Sequence, residues 1–279
     1  MIEEKTKPAN RSEAEIAGYR DVLNTIHQNY EHIPFTPGIV LQLHRDLMKY
    51  VGKEGGRWKS VPNQITETLP DGTRHIRFET VSPPQTSDFI DKLHKQYEQH
   101  IASQIWEPLL LIAFYILDFL CIHPFLDGNG RMARLLSVLL LCKHQYEVGR
   151  YISLERIVEQ TKESYYETLY QSSKGWHKGR HEPWPWTEYF LGVLMAAYAE
   201  FESRFDYVSS GKGNKTDMII NAINGFFDEF RIADIEESCP TVSRDMIRHV
   251  LFRLRDENKI KSIGKGRGAK WKKLVEKMD

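Results

Sequence analysis

Between positions 123 and 134 the chain reads His-Pro-Phe-Leu-Asp-Gly-Asn-Gly-Arg, followed at helical spacing by Arg134. Gly128, Asn129 and Gly130 can take the positive-φ conformations that turn consecutive N–H groups into an anion-binding nest. A helix opening at Arg131 would add its unpaired N–H groups and the positive end of its dipole, which suits phosphate. Arg131 and Arg134, three apart, share a helix face, and planar guanidinium groups bind phosphate oxygens in pairs. Asp127 is an acid beside a site built for anions. That makes electrostatic sense if a divalent cation bridges it to phosphate, and Mg²⁺ favours one or two carboxylates plus substrate oxygens. His123 has the pKa range of a general base near neutral pH. Phe125 is expected to anchor the loop in the core. A turn joining two core helices would explain the glycines, but not these four charged or titratable groups together.

The segments around this loop must position it. Apolar residues recur at helical spacing over Ile16 to Ile26 and over Ile39 to Val51, the second behind a Thr36-Pro37 start. Residues 57–81 change to alternation around Pro70-Asp71-Gly72, predicting a β-hairpin. Helices are expected at 87–100, 108–121, 131–143, 162–172 and 187–207, and a loop at 176–186. The most apolar stretch, Leu109 to Leu120, would span only about 18 Å as a helix against roughly 30 Å of bilayer hydrocarbon, so it reads as a core helix.

Charge is organised by domain. The 279 residues hold 38 Lys+Arg and 38 Asp+Glu, but residues 1–211 hold 23 and 27 while residues 212–279 hold 15 and 11. The zero sum is a cancellation. Ser209 to Lys215 is small, polar and unpatterned, the expected linker between a domain at 1–210 and another at 215–279. The second domain reads helix, helix, helix, strand, basic turn, strand, the order of a winged helix-turn-helix. Its basic residues fall on Arg244, Arg248, Arg253 and Arg255 and on Lys265 and Arg267 of the turn. DNA binding there stands beside a solvated basic face or a protein contact as alternatives. Three widely spaced cysteines and a charged N-terminus predict a reducing, cytoplasmic setting with no disulfide framework, no zinc site and no membrane partner.

HPFLDGNGRMAR resembles the motif of the Fic family, and every specified position is met. The resemblance covers roughly residues 13–207: the surrounding helices, the flap hairpin at about 57–81, the Tyr165-Tyr166 pair and Trp186 to Leu191. It implies an all-α Fic-domain helical bundle with a β-hairpin flap, followed here by a small winged helix-turn-helix domain such as some bacterial members append. The activity implied is transfer of AMP from ATP to a Ser, Thr or Tyr hydroxyl of a target protein, releasing pyrophosphate. His123 would deprotonate the hydroxyl, Asp127 would hold Mg²⁺, Gly128, Asn129, Gly130 and Arg131 would cradle phosphates, and Arg134 would meet the γ-phosphate. Tyr165 and Tyr166 would wall the adenine pocket. The flap would dock the target as an added strand, with Asn63 to Thr66 as the docking segment. Kinase-like relatives of the death-on-curing type carry lysine where Gly130 stands, which favours adenylyl transfer here. The regulatory Ser/Thr-x-x-x-Glu-Gly/Asn motif of many members is absent. The expectation is therefore an unregulated or truncated form, with any inhibitory helix upstream of Met1 and Arg134 unpaired without nucleotide. Open alternatives are a DNA-binding regulator whose Fic-like domain senses nucleotide, a Fic enzyme that removes AMP or uses another nucleotide donor, and a homodimeric assembly.

Overall fold

The computed structural model describes residues 10–68, 72–209, 215–226, 229–264 and 269–274. It is mostly helical with two small antiparallel sheets, and its chain divides into one unit up to Leu194 and a second from Met195 on.

In the first unit, helix α1 (Arg11–Asn29) is capped by Asn10, whose side chain accepts the Glu13 N–H at 3.0 Å. Its buried residues, Ala14, Gly18, Val22 and Ile26, step by four along one face. Helix α2 (Pro37–Leu47) starts with a Thr36 cap and a first-turn proline. A Cβ on Gly18 would lie 2.1 Å from the Leu47 carbonyl oxygen, so the two helices approach there only because that residue has no side chain. Gly18→Ala is expected to cost about 1–3 kcal/mol by overpacking and to lower Tm by several degrees, read by thermal denaturation.

Helices α3 (Thr86–Ser103), α4 (Pro108–Ile122) and α5 (Asn129–Lys143) carry the core. Ten of the fifteen residues of α4 and eleven of the fifteen of α5 are buried, so both are apolar around most of their circumference and fix the loop between them. Helix α5 begins at Asn129, two residues before the predicted start, because Gly128 at φ +82° supplies the left-handed residue that turns the chain into the helix.

The hairpin forms as expected, with β1 (Gln64–Thr68) antiparallel to β2 (Arg74–Glu79). Its register slips between Ile65 and Thr66, leaving Arg77 without a partner across the ladder. The Arg77 guanidinium still reaches β1, 3.4 Å from the Glu67 carboxylate, and lies 4.3 Å from the Tyr170 ring centroid and 3.5 Å from the Glu167 carboxylate. Pro70 and Asp71 lie outside the described residues.

Helix α6 (Leu154–Gln160), missed by periodicity because it spans two turns, leads into α7 (Lys162–Ser173). The predicted loop at 176–186 is partly structured. Trp176–Lys178 is a 3-10 turn, and α8 (Trp184–Ser209) begins at Trp184, since Pro185 is tolerated in a first helical turn. His177 stacks on Phe78 (centroids 5.3 Å apart, 12° between planes) and donates to the Glu79 carbonyl at 2.6 Å, fastening β2.

In the second unit, α9 (Lys215–Asn224), β3 (Phe230–Arg231), α10 (Ile232–Ser238), α11 (Arg244–Asp256), β4 (Ile260–Ile263) and β5 (Lys270–Lys273) follow one another. The sheet order is β3-β5-β4, all antiparallel. Ile219, Phe230, Ile235, Ile247, Leu251 and Trp271 centre its own core. The linker residues 210–214 and the basic turn residues 265–268, including Lys265 and Arg267, lie outside the described residues. Cys121, Cys142 and Cys239 are buried free thiols. Among the described residues no helix is long and apolar enough to cross a membrane.

Candidate active site

His123 is the C-cap of α4 in the left-handed conformation (φ 52°, ψ 60°), which turns the chain out of the core into the loop. Its Nδ1 lies 3.2 Å from the Leu120 carbonyl oxygen. A carbonyl only accepts, so this contact assigns the proton to Nδ1 and leaves the lone pair on Nε2. Burial pulls the imidazole pKa down to about 4, the Lys59 charge adds to that, and the Leu120 hydrogen bond opposes it. The ring is therefore neutral near pH 7 and carries an unprotonated Nε2.

Phe125 is fully buried, as its place in the pattern required. It stacks on His44, centroids 3.6 Å apart and 11° between planes. The amide of Asn129 holds the same residue by its main chain: Phe125 N–H donates to Oδ1 at 2.9 Å, and Nδ2 donates to Phe125 O at 2.7 Å. The Asn129 side chain is thus spent on the loop itself. Gly130 sits inside α5 without a positive φ. The expected three-residue nest is therefore corrected to Gly128 plus the helix N-terminus, since helical pairing starts two residues early.

Asp127 gathers cations. Its carboxylate lies 3.1 Å from Arg11 Nη2, 3.1 Å from Lys53 Nζ and 3.2 Å from Arg131 Nη2. Burial pushes its pKa up, but the Lys53 hydrogen bond and the charges of Arg131 and Lys53 outweigh that and hold it below the ordinary carboxylate value. Arg131 Nη1 is buried without a hydrogen-bond partner, its nearest acid being Glu15 of α1 at 3.4 Å. A buried guanidinium N–H at a helix N-terminus, ion-paired but not hydrogen-bonded, suits an anionic oxygen.

Arg134 is not unpaired. Its Nε hydrogen-bonds the Glu155 carboxylate on α6, so that expectation is corrected: α6, absent from the sequence reading, supplies the partner. Tyr19 of α1 packs against both, with its phenol pKa raised by burial and by Glu155. Glu155→Gln is expected to lower the apparent Kd for ATP by about 3–10-fold, because Arg134 loses a competing carboxylate; calorimetric titration reads it.

Tyr165 is buried against Trp186 and Tyr189, at 5.5 and 5.9 Å between centroids, while Tyr166 is exposed. Asn63 precedes β1 instead of belonging to it. Its Nδ2 donates to Phe125 O at 2.8 Å.

His44 and Lys59 were missed by sequence reasoning. Gly56 N–H donates to His44 Nδ1 at 3.0 Å, which makes Nδ1 the acceptor and Nε2 the N–H that donates to Asp127 O at 3.1 Å. Burial lowers its pKa to about 4. The available signal was position: His44 shares the face of Val40, Leu43 and Leu47. Nothing in sequence marks Lys59, because lysine reads as solvent-exposed by default.

Residues 34–141 match the Fic/DOC family. A Fido domain-containing protein of Dictyostelium discoideum is 30% identical over 99 residues, 34% of this chain and 65% of that protein, so the chain spans just under two thirds of that relative. A Fic family protein from Desulfovibrio desulfuricans superposes with a TM-score of 0.56 at 20% identity, covering 96% of this chain and 77% of that one. A Fic domain-containing signaling protein from Bacteroides thetaiotaomicron superposes at 0.52 with 24% identity, covering 71% and 75%. These two likenesses establish the fold.

Proposed function

With a Fic/DOC-family domain at residues 34–141 as its premise, we propose that this protein is a protein adenylyltransferase that moves AMP from ATP to a Ser, Thr or Tyr hydroxyl of a target protein. The observation that carries the reading is the contact of His123 Nδ1 with the Leu120 carbonyl, from which the tautomer follows. With Nδ1–H held by Leu120 O, the bare Nε2 stands on the loop that leads into the α5 N-terminus.

In this reading Nε2 takes the proton of the target hydroxyl and the hydroxyl oxygen bonds to the α-phosphorus. The bond from that phosphorus to the β-phosphate oxygen breaks, and pyrophosphate leaves. Arg131, whose Nη1 makes no hydrogen bond, and the opening N–H groups of α5 meet phosphate charge. Arg134 reaches the outer phosphate after leaving Glu155.

The residues present fit magnesium. Asp127 is held ionised and only partly buried, and among the described residues no group of three or more His, Cys, Asp or Glu could hold a metal alone. That is the donor set of an ion held by one carboxylate and substrate oxygens. Asp127 would hold it, and the ion would draw off phosphate charge. ATP labelled on the α- or γ-phosphate tests the reading. Transfer of α-label to protein supports it, γ-label points to a kinase, and neither label on protein leaves a nucleotide sensor.

We also propose that the second unit is a winged helix that binds DNA through α11. The element order and the β3-β5-β4 sheet support this. In the free protein Arg244, Arg248, Arg253 and Arg255 each lie within 4 Å of an acid, Glu236, Asp245, Glu257 and Asp256 respectively, and DNA phosphates would compete for them. A DNA titration at two salt concentrations tests this. Affinity falling steeply with salt supports it, and no binding at low salt overturns it.

A further inference from the structure

Lys59 lies in the connection between α2 and β1 with 3% of its surface exposed. Its Nζ donates to Asn63 Oδ1 at 2.8 Å, to Thr80 Oγ1 at 2.8 Å and to the Ile122 carbonyl at 3.0 Å. All three ammonium N–H groups are thereby used. Its backbone N–H donates to the Pro124 carbonyl at 2.8 Å. One residue thus holds the carbonyls on both sides of His123, by its side chain at 122 and by its main chain at 124.

Asn63 extends the hold. Its Oδ1 accepts from Lys59 and, at 2.6 Å, from the Thr80 hydroxyl, while its Nδ2 donates to Phe125 O. Asn63 and Thr80 are the residues that enter and leave the flap hairpin. Both roots of the flap are therefore joined to the main chain that carries His123.

Two features argue that this is more than packing. An ammonium group is expensive to bury, and among the described residues no carboxylate pairs with it; burial pulls its pKa down to about 8. An apolar residue would fill the same space at lower cost. His123 is also a non-glycine residue at φ 52°, a conformation that persists where surrounding contacts over-determine it.

We propose that Lys59, Asn63 and Thr80 form a positioning clamp that keeps His123 in its left-handed conformation and couples the flap hairpin to it, so that a target protein seated on the flap meets a correctly aimed base. This rests on the transferase reading for its consequence, but not for its geometry. Lys59 is a positioning residue, since it acts through His123.

The test uses the full chain with Lys59→Met, which keeps the length and removes the charge and the donors, and Thr80→Val, which removes one hydroxyl. Label-transfer kinetics are read beside the ring titration of His123 by NMR. In Lys59→Met, kcat is expected to fall about 10-fold or more through misalignment of the base. KM for ATP is expected to stay within about two-fold, because the α5 N-terminus is held without Lys59, by His44 on the Asp127 carbonyl and by the Met132 N–H on the Gly128 carbonyl.

The His123 titration is expected to move up by a small step, because the Lys59 charge that disfavours the imidazolium is gone while burial, the larger cause of the low value, remains. The nearby acids are engaged elsewhere, Asp127 by Arg11, Lys53 and Arg131, and Asp118 of α4 by Trp176 Nε1 at 2.6 Å. Thr80→Val is expected to lower kcat by about three-fold with the same unchanged KM, and it carries the test if Lys59→Met does not fold. An unchanged kcat with an unchanged His123 titration overturns the clamp. So does a fall in kcat matched by an equal rise in KM for ATP, which is general loosening. A wild-type protein that transfers no label removes the transferase reading, and an unchanged His123 ring chemical shift in Thr80→Val, which removes no charge, then overturns the clamp.

Discussion

His123→Ala is expected to lower AMP transfer by about 10²–10⁴-fold, the range removed with a general base, while ATP binding changes little. The loss follows from the arrangement of one ring. The proton sits on Nδ1 because Leu120 O accepts it, so Nε2 is the only site that can take a hydroxyl proton. Neither the phosphate-binding backbone at Gly128 nor Arg131 depends on the imidazole, which is why affinity and turnover should separate. The acid limb gives a second reading of the same group. A base acts in its deprotonated form, and burial with Lys59 nearby lowers the free-enzyme pKa to about 4. The kcat/KM profile is therefore expected to stay level as pH falls through the ordinary histidine range and to drop only well below it. A limb centred near the value of free histidine would contradict the burial of this ring.

Asp127→Ala is expected to act in opposite directions on two measurements. With magnesium present, kcat/KM for ATP should fall about 10²-fold or more, because the carboxylate that would hold the ion is gone. With magnesium chelated, ATP should bind more tightly than to the wild type. In the free protein the Asp127 carboxylate is shared by Arg11, Lys53 and Arg131. Removing it leaves three cations beside an anion site, and anions gain what the carboxylate held. Calorimetric titration in chelator distinguishes this from a collapsed loop, which would weaken ATP in both conditions.

The loop, its helices and its flap were legible because they rest on local chemistry. Gly128 was free to take a positive φ, Phe125 was expected to be buried, and the apolar runs at 108–121 and 131–143 read as core helices. The shorter pieces were not legible. Helix α6 spans seven residues, too few for a period to show, yet it delivers the Glu155 that overturns the unpaired Arg134. Helix α8 begins inside a segment whose tryptophans and prolines suggested a loop, because a proline in the first turn costs a helix nothing.

The site was legible along the chain and hidden across it. The spacing from His123 to Arg134 carries the expectation of phosphate chemistry, but His44, Lys59, Glu15 and Arg11 reach the loop from 63 or more residues away. No local pattern announces such contacts. Asn63 illustrates the difference: its place beside the hairpin was readable, whereas the hydrogen bond of its amide to Phe125 O was not.

The most direct test of the central claim is label transfer from ATP carrying the label on the α-phosphate or on the γ-phosphate, with magnesium and a cell extract as the source of target protein, for the wild type and for His123→Ala. Transfer of α-label to protein by the wild type, lost in His123→Ala, is the predicted result. Transfer of γ-label, or α-label that survives the substitution undiminished, would contradict it.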